Sequence, residues 1–472
     1  MAQTVASQSA EVAEMSADWE LCEDLLEGTR AMRAARGKYL PKWPAEEAEA
    51  YEARLKSAVL FPAYSRTVST LTGKPFSKPL ALSQDAPSQV VEWMQDADRE
   101  GRNLHAFAAD CMQVALGFGL GGILVEYPVV KRDAGARPMT QAEEAAQKLR
   151  PYLVLVKPER ILGWRTQRVN GQTVLVQLRL MEEVEEPDGE WGVKCVDQVR
   201  VLTPGAWETW RKPEGKDWQD AVLHDSGSTS LGYIPFVPFY GEREGFMEAR
   251  PPLLEVAFLN VAHWQSASDQ QNILHVARVP ILFGKMLGEG VVLKVGAQSG
   301  VMATTPDADL KWVEHSGAAI EAGKADLEAL EERMRQAGAE LLVIKPGQVT
   351  ATQTGVENAV GMCALQRITL DLQDALNAAL AIVSEYAKLP AAATVTIYAD
   401  FGVATLAEAS ADLLLRAADS GYISAETFRG EMRRRSVLSA DVDEATEAAR
   451  LEAQGPALGG LNNPAGGGGN AQ

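Results

Sequence analysis

Residues 39–79, YLPKWPAEEAEAYEARLKSAVLFPAYSRTVSTLTGKPFSKP, leave the chain little freedom, because prolines decide where helix is forbidden. Each residue before a proline is pushed out of the helical region, so Tyr39-Leu40-Pro41 and Trp43-Pro44 must be extended. Helix can begin only after them. Glu46 and Glu47 are expected in its first turn, where the macrodipole favours anions. Tyr51, Leu55, Ala58 and Val59 recur at i, i+4, i+7 and i+8 and make one apolar stripe. A break at Phe61-Pro62 starts a second helix with Tyr64, Val68 and Leu71 inward, and Gly73 with Pro75 stops it. The spacing predicts a helical hairpin packed on a larger domain.

The whole chain has 472 residues, too many for one ordinary core, so two to four regions are expected. Hydrophobic content of 46% and charged content of 23% are those of a globular protein. No apolar run reaches the ~18 residues that span a bilayer. The opening MAQTVASQSAEVAEMSADWE lacks a basic block followed by an apolar one, so no secretory signal is read there. Cys22, Cys111, Cys195 and Cys363 are scattered without a CxxC pair and read as small hydrophobes in a reducing cytosol. The net charge is −19, from 45 Lys+Arg against 64 Asp+Glu. Tight DNA binding needs cationic neutralisation of phosphates, so this balance argues against a nuclease, repressor or polymerase. It is compatible with a channel whose acidic wall repels sliding DNA. It is equally compatible with plain solubility.

Further along, residues 88–126 read as helix, helix, strand. Val90, Val91, Met94 and Ala97 line the first helix, Asn103 caps the second, and Leu104, Phe107, Cys111 and Ala115 line it. The glycines of GFGLGG, Gly117 to Gly122, precede a strand, the reverse of a nucleotide-loop order, and are expected to make a close-packed turn. Residues 152–240 are β-rich, with a type I′ hairpin predicted at Asn170-Gly171. Glu182, Glu183, Glu185, Glu186, Asp188 and Glu190 are expected in a solvated loop, without metal-binding spacing.

Pro251-Pro252 opens a long helix with an apolar first half (Leu253, Leu254, Val256, Phe258, Val261, Trp264) and a polar middle, Gln265 to Asn272. A helix buried in a monomer core would not carry QSASDQQN through its centre, so this segment is expected at a wet wall or a subunit boundary. Short strands follow Pro280. Lys324 to Ala337 returns to helix with Leu327, Leu330, Met334 and Ala337 on one face and a Glu331–Arg335 pair on the other. After the loop KPGQVTATQTG, a long helix carries Leu365, Ile368, Leu372, Ala375, Ala379, Ile382 and Tyr386 at alternating three and four. TVTIYADF reads as a strand, residues 405–452 as helical, and the glycine-rich tail as unable to order itself. Arg433-Arg434-Arg435 is the densest basic run, read as a solvated face or a partner contact.

Read as written, YLPKWPAEE, AYEARLKSAVLF, RTV and LTGKPFSKP, and later PPLLEVAFLNVAHWQSASD and HVARVPILFG, resemble the portal proteins of tailed bacteriophages. The matching words keep the family's order to about residue 450. That resemblance implies an α+β portal fold with an α/β wing, two-helix stem, small β-rich clip, long tunnel-side helix and helical crown. It implies a wing at 1–245, a first stem helix at 246–278, a clip at 279–320 and a second stem helix at 321–344. A tunnel loop, long helix and wing return strand would take 345–399, a crown 400–452, and a disordered tail the rest. Lys345, Gln348 and Gln353 become candidates to face DNA. Gln265, Ser266, Ser268, Asp269 and Gln271 become candidates to face the channel or a neighbouring subunit, and Arg433, Arg434 and Arg435 lie in the crown.

The function implied is structural: a ring, usually a dodecamer, at the unique capsid vertex of the virion, assembled in the bacterial cytoplasm. It would pass double-stranded DNA in packaging and ejection. It would also meet the terminase large subunit, the major capsid protein and a head-completion adaptor, with no membrane partner. No catalytic residue, metal or cofactor is expected, and the sequence holds no GxxxxGK[ST] loop, HExxH, GxSxG or close-spaced histidine pair among His105, His224, His263, His275 and His315. The alternatives are an acid–base or metal-assisted hydrolase using the carboxylates of the β-rich part, and another virion ring or adaptor protein.

Overall fold

The computed structural model describes residues 3–128, 143, 147–277, 281–285, 307, 309–313, 317–343, 362–399 and 415. The chain divides into two units, Met1–Ala399 and Asp400–Gln472. In the second, Leu415 alone is described, as a helical residue. The expected crown and Arg433, Arg434 and Arg435 lie outside the described residues.

The first unit opens with α1 (Ala10–Glu27), capped by the Ser9 hydroxyl, which accepts from Val12 N at 3.4 Å, and then α2 (Thr29–Ala34). The proline-bracketed stretch gives α3 (Ala48–Ser57) and α4 (Ala63–Gly73). Tyr51, Leu55, Tyr64, Val68 and Leu71 are buried as their spacing predicts. Two expectations there need correcting. Helix α3 starts one residue after Glu47, and the Glu46 side chain is committed to Arg54 and to the Trp43 amide instead of a first turn. Val59 is 56% exposed, because α3 has already ended at Ser57 and the extended segment that follows points it outward.

Strand β1 (Ala81–Leu82), α5 (Ser88–Trp93) and α6 (Leu104–Phe118) follow. Asn103 accepts from Ala106 N at 2.9 Å and caps α6. Val91 is 39% exposed, since α5 is too short to hold both valines inside. Gly119, at φ 82°, turns α6 directly into β2 (Leu120–Glu126). A Cβ on Gly119 would lie 2.3 Å from the Arg250 carbonyl, and one on Gly122 would lie 2.0 Å from the Phe236 ring. The glycines therefore serve close packing, as expected.

β2 is the centre of an antiparallel sheet ordered β3-β2-β9, with β3 at Tyr152–Val156 and β9 at Phe236–Tyr240. The strands between them form a separate antiparallel meander: β4 (Ile161–Val169), β5 (Gln172–Asp188), β6 (Gly192–Thr203), β7 (Ala206–Arg211) and β8 (Val222–Ser228). Asn170 and Gly171 take φ 50° and 84° at the first turn, the two positive values a type I′ hairpin needs. The acidic run is not a loop. Glu182 to Asp188 is strand, paired residue by residue with Gln198 to Gly192, because Arg200, Arg211 and Lys194 offset part of its charge.

After β10 (Glu242–Arg243) and β11 (Ala249–Arg250) comes α7 (Leu254–Ala277). Strands β12 (Ile281–Lys285) and β13 (Asp309–Val313) pair antiparallel and join it to α8 (Ala318–Ala339). Last are α9 (Ala364–Tyr386) and β14 (Val395–Thr396), which pairs with β1. Of TVTIYADF, residues 394–399 are described, and among them Val395 and Thr396 are strand; Gln373 and Asn377 on α9 accept the amides of Ile397 and Val395. The predicted stripe of α9, Leu365 through Ile382, is buried against β2, β9 and α6. Together with α1, α4 and the first half of α7, it closes the core of an α+β fold.

Candidate functional site

The polar middle of α7 meets the proline-bracketed segment on one side and α8 on the other. Pro41 and Pro44 keep residues 41–43 out of helix. Tyr39, expected extended, stays in the αR turn that closes the short helix before it, because its amide bonds back to the Arg36 carbonyl. From there its own carbonyl accepts from the Gln265 amide at 2.9 Å. Arg54, only 5% exposed, pins the segment down. Its Nε and Nη2 donate to the two Glu46 oxygens at 2.7 and 2.8 Å, and Nη2 also reaches the Pro41 carbonyl at 2.9 Å. The guanidinium lies 4.2 Å from the Trp43 ring centre, so charge and π-face are used together. The Arg54 guanidinium holds the Glu46 carboxyl below the usual carboxylate range. Asp269 comes within 3.9 Å of Arg54, yet burial raises its pKa more than the arginine lowers it. Tyr39 donates to Asp24 at 2.7 Å, and burial pushes its hydroxyl up to about 12.

Toward α8, Ser266 donates to Asp326 at 2.8 Å and the Gln270 amide to the Ile320 carbonyl at 2.8 Å. His263 lies 3.5 Å from Glu331, so α7 and α8 run antiparallel, with 263, 266 and 270 opposite 331, 326 and 320. Gly323 makes the approach possible: a Cβ there would sit 2.0 Å from the Gln270 oxygen. Glu331 is thus used across the seam, and Arg335 pairs with Glu332, not with Glu331 as its spacing predicts. Burial lowers the His263 pKa, Glu331 opposing it. Four buried polar atoms on α7 have no hydrogen-bond partner among the described residues: His263 Nδ1, Trp264 Nε1, Ser268 Oγ and Gln270 Oε1. A polar seam is therefore present, but within one chain it is only partly satisfied.

Burial grades along both helices. Leu253, Leu254, Val256, Ala257 and Trp264 are buried, whereas Gln271, Asn272 and His275 are exposed. On α8, Leu330 and Met334 are buried, while Glu321, Lys324, Asp326 and Glu328 are exposed. The ends nearest β12 and β13 thus stand off the body and touch mainly each other. Phe258, expected inside, is 50% exposed, because it falls on the side of α7 away from α8 and the core. Of the sequence candidates, Gln265, Ser266 and Asp269 lie half-buried at this seam, Ser268 is 3% exposed and Gln271 is open. Lys345, Gln348 and Gln353 lie outside the described residues.

Two contributors were not legible in the sequence. Asn260, fully buried on α7, accepts from Tyr64 N at 3.0 Å and donates to the Phe61 carbonyl at 2.9 Å, capping α4 from another element. A lone Asn inside an apolar helical half gives no signal of its long-range partner. Arg54 reads as a surface residue by spacing, and its partner Glu46, eight positions back, is not at a helical i, i+3 or i, i+4 spacing that would reveal it.

A cleft of about 1550 Å³ lies where β2 and β3 face β6, β7 and the end of α9. On its sheet side Tyr152 donates to Glu126 at 2.6 Å, and Arg200 bridges Glu126 and Glu182. Such cross-pairing braces two sheets. Among the described residues no three His, Cys, Asp or Glu side chains converge as metal ligands. Nor is any described helix long and apolar enough to cross a membrane.

Residues 252–387, spanning α7 to α9, match the family model described as "Domain of unknown function (DUF4055)". No curated protein matches the chain. Among solved structures the chain is similar to one from the neck of the empty gene transfer agent particle computed with C6 symmetry, at 15% identity and TM-score 0.42, over 79% of this chain and 89% of that one. A chain of the native gene transfer agent virion gives 15% and 0.40 over 79% and 88%. One from the native neck computed with C12 symmetry gives 14% and 0.41 over 79% and 89%. These are parts of a phage-like particle, and superpositions of this quality transfer no residue and no activity to this chain.

Proposed function

We propose that this chain is the portal, or head-to-tail connector, of a tailed-phage-like virion. Copies close side by side into a ring, usually twelve in the family its sequence resembles, around a channel for double-stranded DNA. In this reading α7 and α8 are the stem, the region of β12 and β13 is the clip, and the meander belongs to the wing. Lys345, Gln348 and Gln353 approach DNA from a tunnel loop, and terminase and the adaptor dock at the ring's two faces. The role is mechanical, without catalysis.

One observation carries this. The α7–α8 pair meets along a polar seam, its outer ends are exposed among the described residues, and it leads into the antiparallel pair β12–β13. An apolar side chain left open on a helix is stabilised by burial against a further surface. Identical neighbours supply that surface, and Phe258, half exposed on the outer side of α7, is available to them. The hydrolase reading has no matching support, because the carboxylates it would use are paired in strands β5 and β6.

Mass measurement of the purified full-length chain tests the proposal. A closed species near twelve times 50.9 kDa is expected, and Phe258→Ser should shift it to smaller species while leaving the thermal midpoint of the monomer within a degree or two. A wild-type chain that stays monomeric at assembly concentrations would refute it.

A further inference from the structure

Strands β5 and β6 run past the rest of their sheet. Pairing with β7 stops at Gln198–Arg211, yet β5 and β6 continue for six more pairs, to Asp188–Gly192. At ~3.3 Å per residue this free arm reaches about 20 Å beyond its neighbours. Its tip carries Trp191, 90% exposed, with Val193 at 64%. On the same side of the ribbon Glu183 stands directly opposite Asp197, and Glu185 opposite Cys195. Like charges across a strand pair destabilise it, and Lys212, 3.3 Å from Asp197, is the cation paired there. The acidity is also felt by Cys195, whose thiol pKa is raised by its hydrogen bond to Glu183. A surface tryptophan on a like-charged ribbon is costly for a chain that acts alone.

The complement lies at the other end of the same meander. A cleft of about 760 Å³ opens between residues 3–11 and the sheet, walled by Trp164, Trp210 and Trp218. Arg165 and Arg179 line it beside Glu11 and Glu208, but no ion pair joins either arginine to a carboxylate among the described residues: Glu208 accepts from Trp210 Nε1 at 2.9 Å, and Arg179 donates to the Val5 carbonyl at 2.7 Å. Burial and the neighbouring Arg165 both lower the Arg179 pKa, as expected of paired cations lacking an anion. The arm cannot fold back into this cleft. Arg179 and Asp188 sit nine residues apart on one strand, about 30 Å.

We propose that the β5–β6 arm of one copy seats in the arginine–tryptophan cleft of the next, Trp191 among the cleft tryptophans and the arm carboxylates against Arg165 and Arg179. The contact is head-to-tail, so each copy gives an arm and receives one, as a closed ring requires. It rests on the ring reading above and adds the surfaces that hold the wing together.

Cysteine cross-linking of the full-length chain tests it, because Cys22, Cys111 and Cys363 are buried and Cys195 on the arm is exposed. Gln219, exposed at the cleft, is replaced by cysteine, and mild oxidation should link Cys195 of one copy to that position on the next. The expected product is a covalent ladder running past the dimer on a non-reducing gel. It should vanish in the Cys195→Ser background and fall at least tenfold with Trp191→Ser plus Arg165→Glu. Adding Glu185→Arg to Arg165→Glu should restore part of it. A ladder that stops at the dimer would mean a two-fold pair and overturn the head-to-tail contact. Wild-type rings by mass with no cross-link would overturn the arm contact and leave the ring standing. Loss of rings in the unmodified protein would remove the ring reading itself.

Discussion

Arg54 and Glu46 show how much one buried pair can hold. Both side chains are 4% exposed, and between them they fix the extended segment that reaches α7. Glu46→Gln leaves the guanidinium buried without its anion, a change expected to cost on the order of 3 kcal/mol in chemical denaturation. The pH dependence has a definite sign. The Glu46 pKa is depressed in the folded state, so the stabilisation is complete above the unfolded carboxylate value of about 4.3 and is lost as pH falls through the folded one. The gap between wild type and Glu46→Gln should therefore close in acid, and a gap that persists there would contradict the assignment. Ser268 makes the opposite prediction. Its hydroxyl is buried with no partner among the described residues, so Ser268→Ala should be neutral or stabilise by up to about 1 kcal/mol in urea titration. A loss of 2 kcal/mol would reveal a partner. Gly119→Ala should drop the thermal midpoint by several degrees, since both its φ of 82° and the backbone of Arg250 and Pro251 exclude a side chain. The apolar positions Tyr51, Tyr64 and Leu71 were legible because burial follows period. Arg54 and Asn260 were not, because a charged or amide group enters a core only through partners that spacing does not reveal.

At the scale of elements, hydrophobic period carried most of the reading. Helices α3, α4, α6 and α9 lie where their stripes put them. The acidic hairpin was misread because composition weighs charge as a loop signal, whereas a strand needs only alternate faces and a paired backbone. Strand β8, VLHDSGS, escaped for a similar reason, being polar and at the sheet's edge. The polar middle of α7 was expected at a wet wall or a subunit boundary, but Ser268 and Gln270 are buried, and much of the segment is covered within the chain, by residues 39–46 and by α8. Replacing Gln271, exposed beyond the seam, by leucine should leave the denaturation midpoint within about 0.5 kcal/mol. A larger loss would place that residue inside the monomer's own packing.

For the whole molecule, the sequence words that resemble a portal sit in order along a chain that folds as α+β, with an antiparallel helix pair ending in a β-hairpin. Those features could be read early because prolines, caps and periods are local. A ring would leave no such local signal, since a surface left open in one chain does not say how many copies would cover it. The acidic balance of −19 is consistent with a wall that lets DNA slide. The decisive observation is a projection image of the purified full-length protein. The account predicts closed rings with a central hole wide enough for duplex DNA; solid particles, or single chains with α7 and α8 folded into their own core, would contradict it.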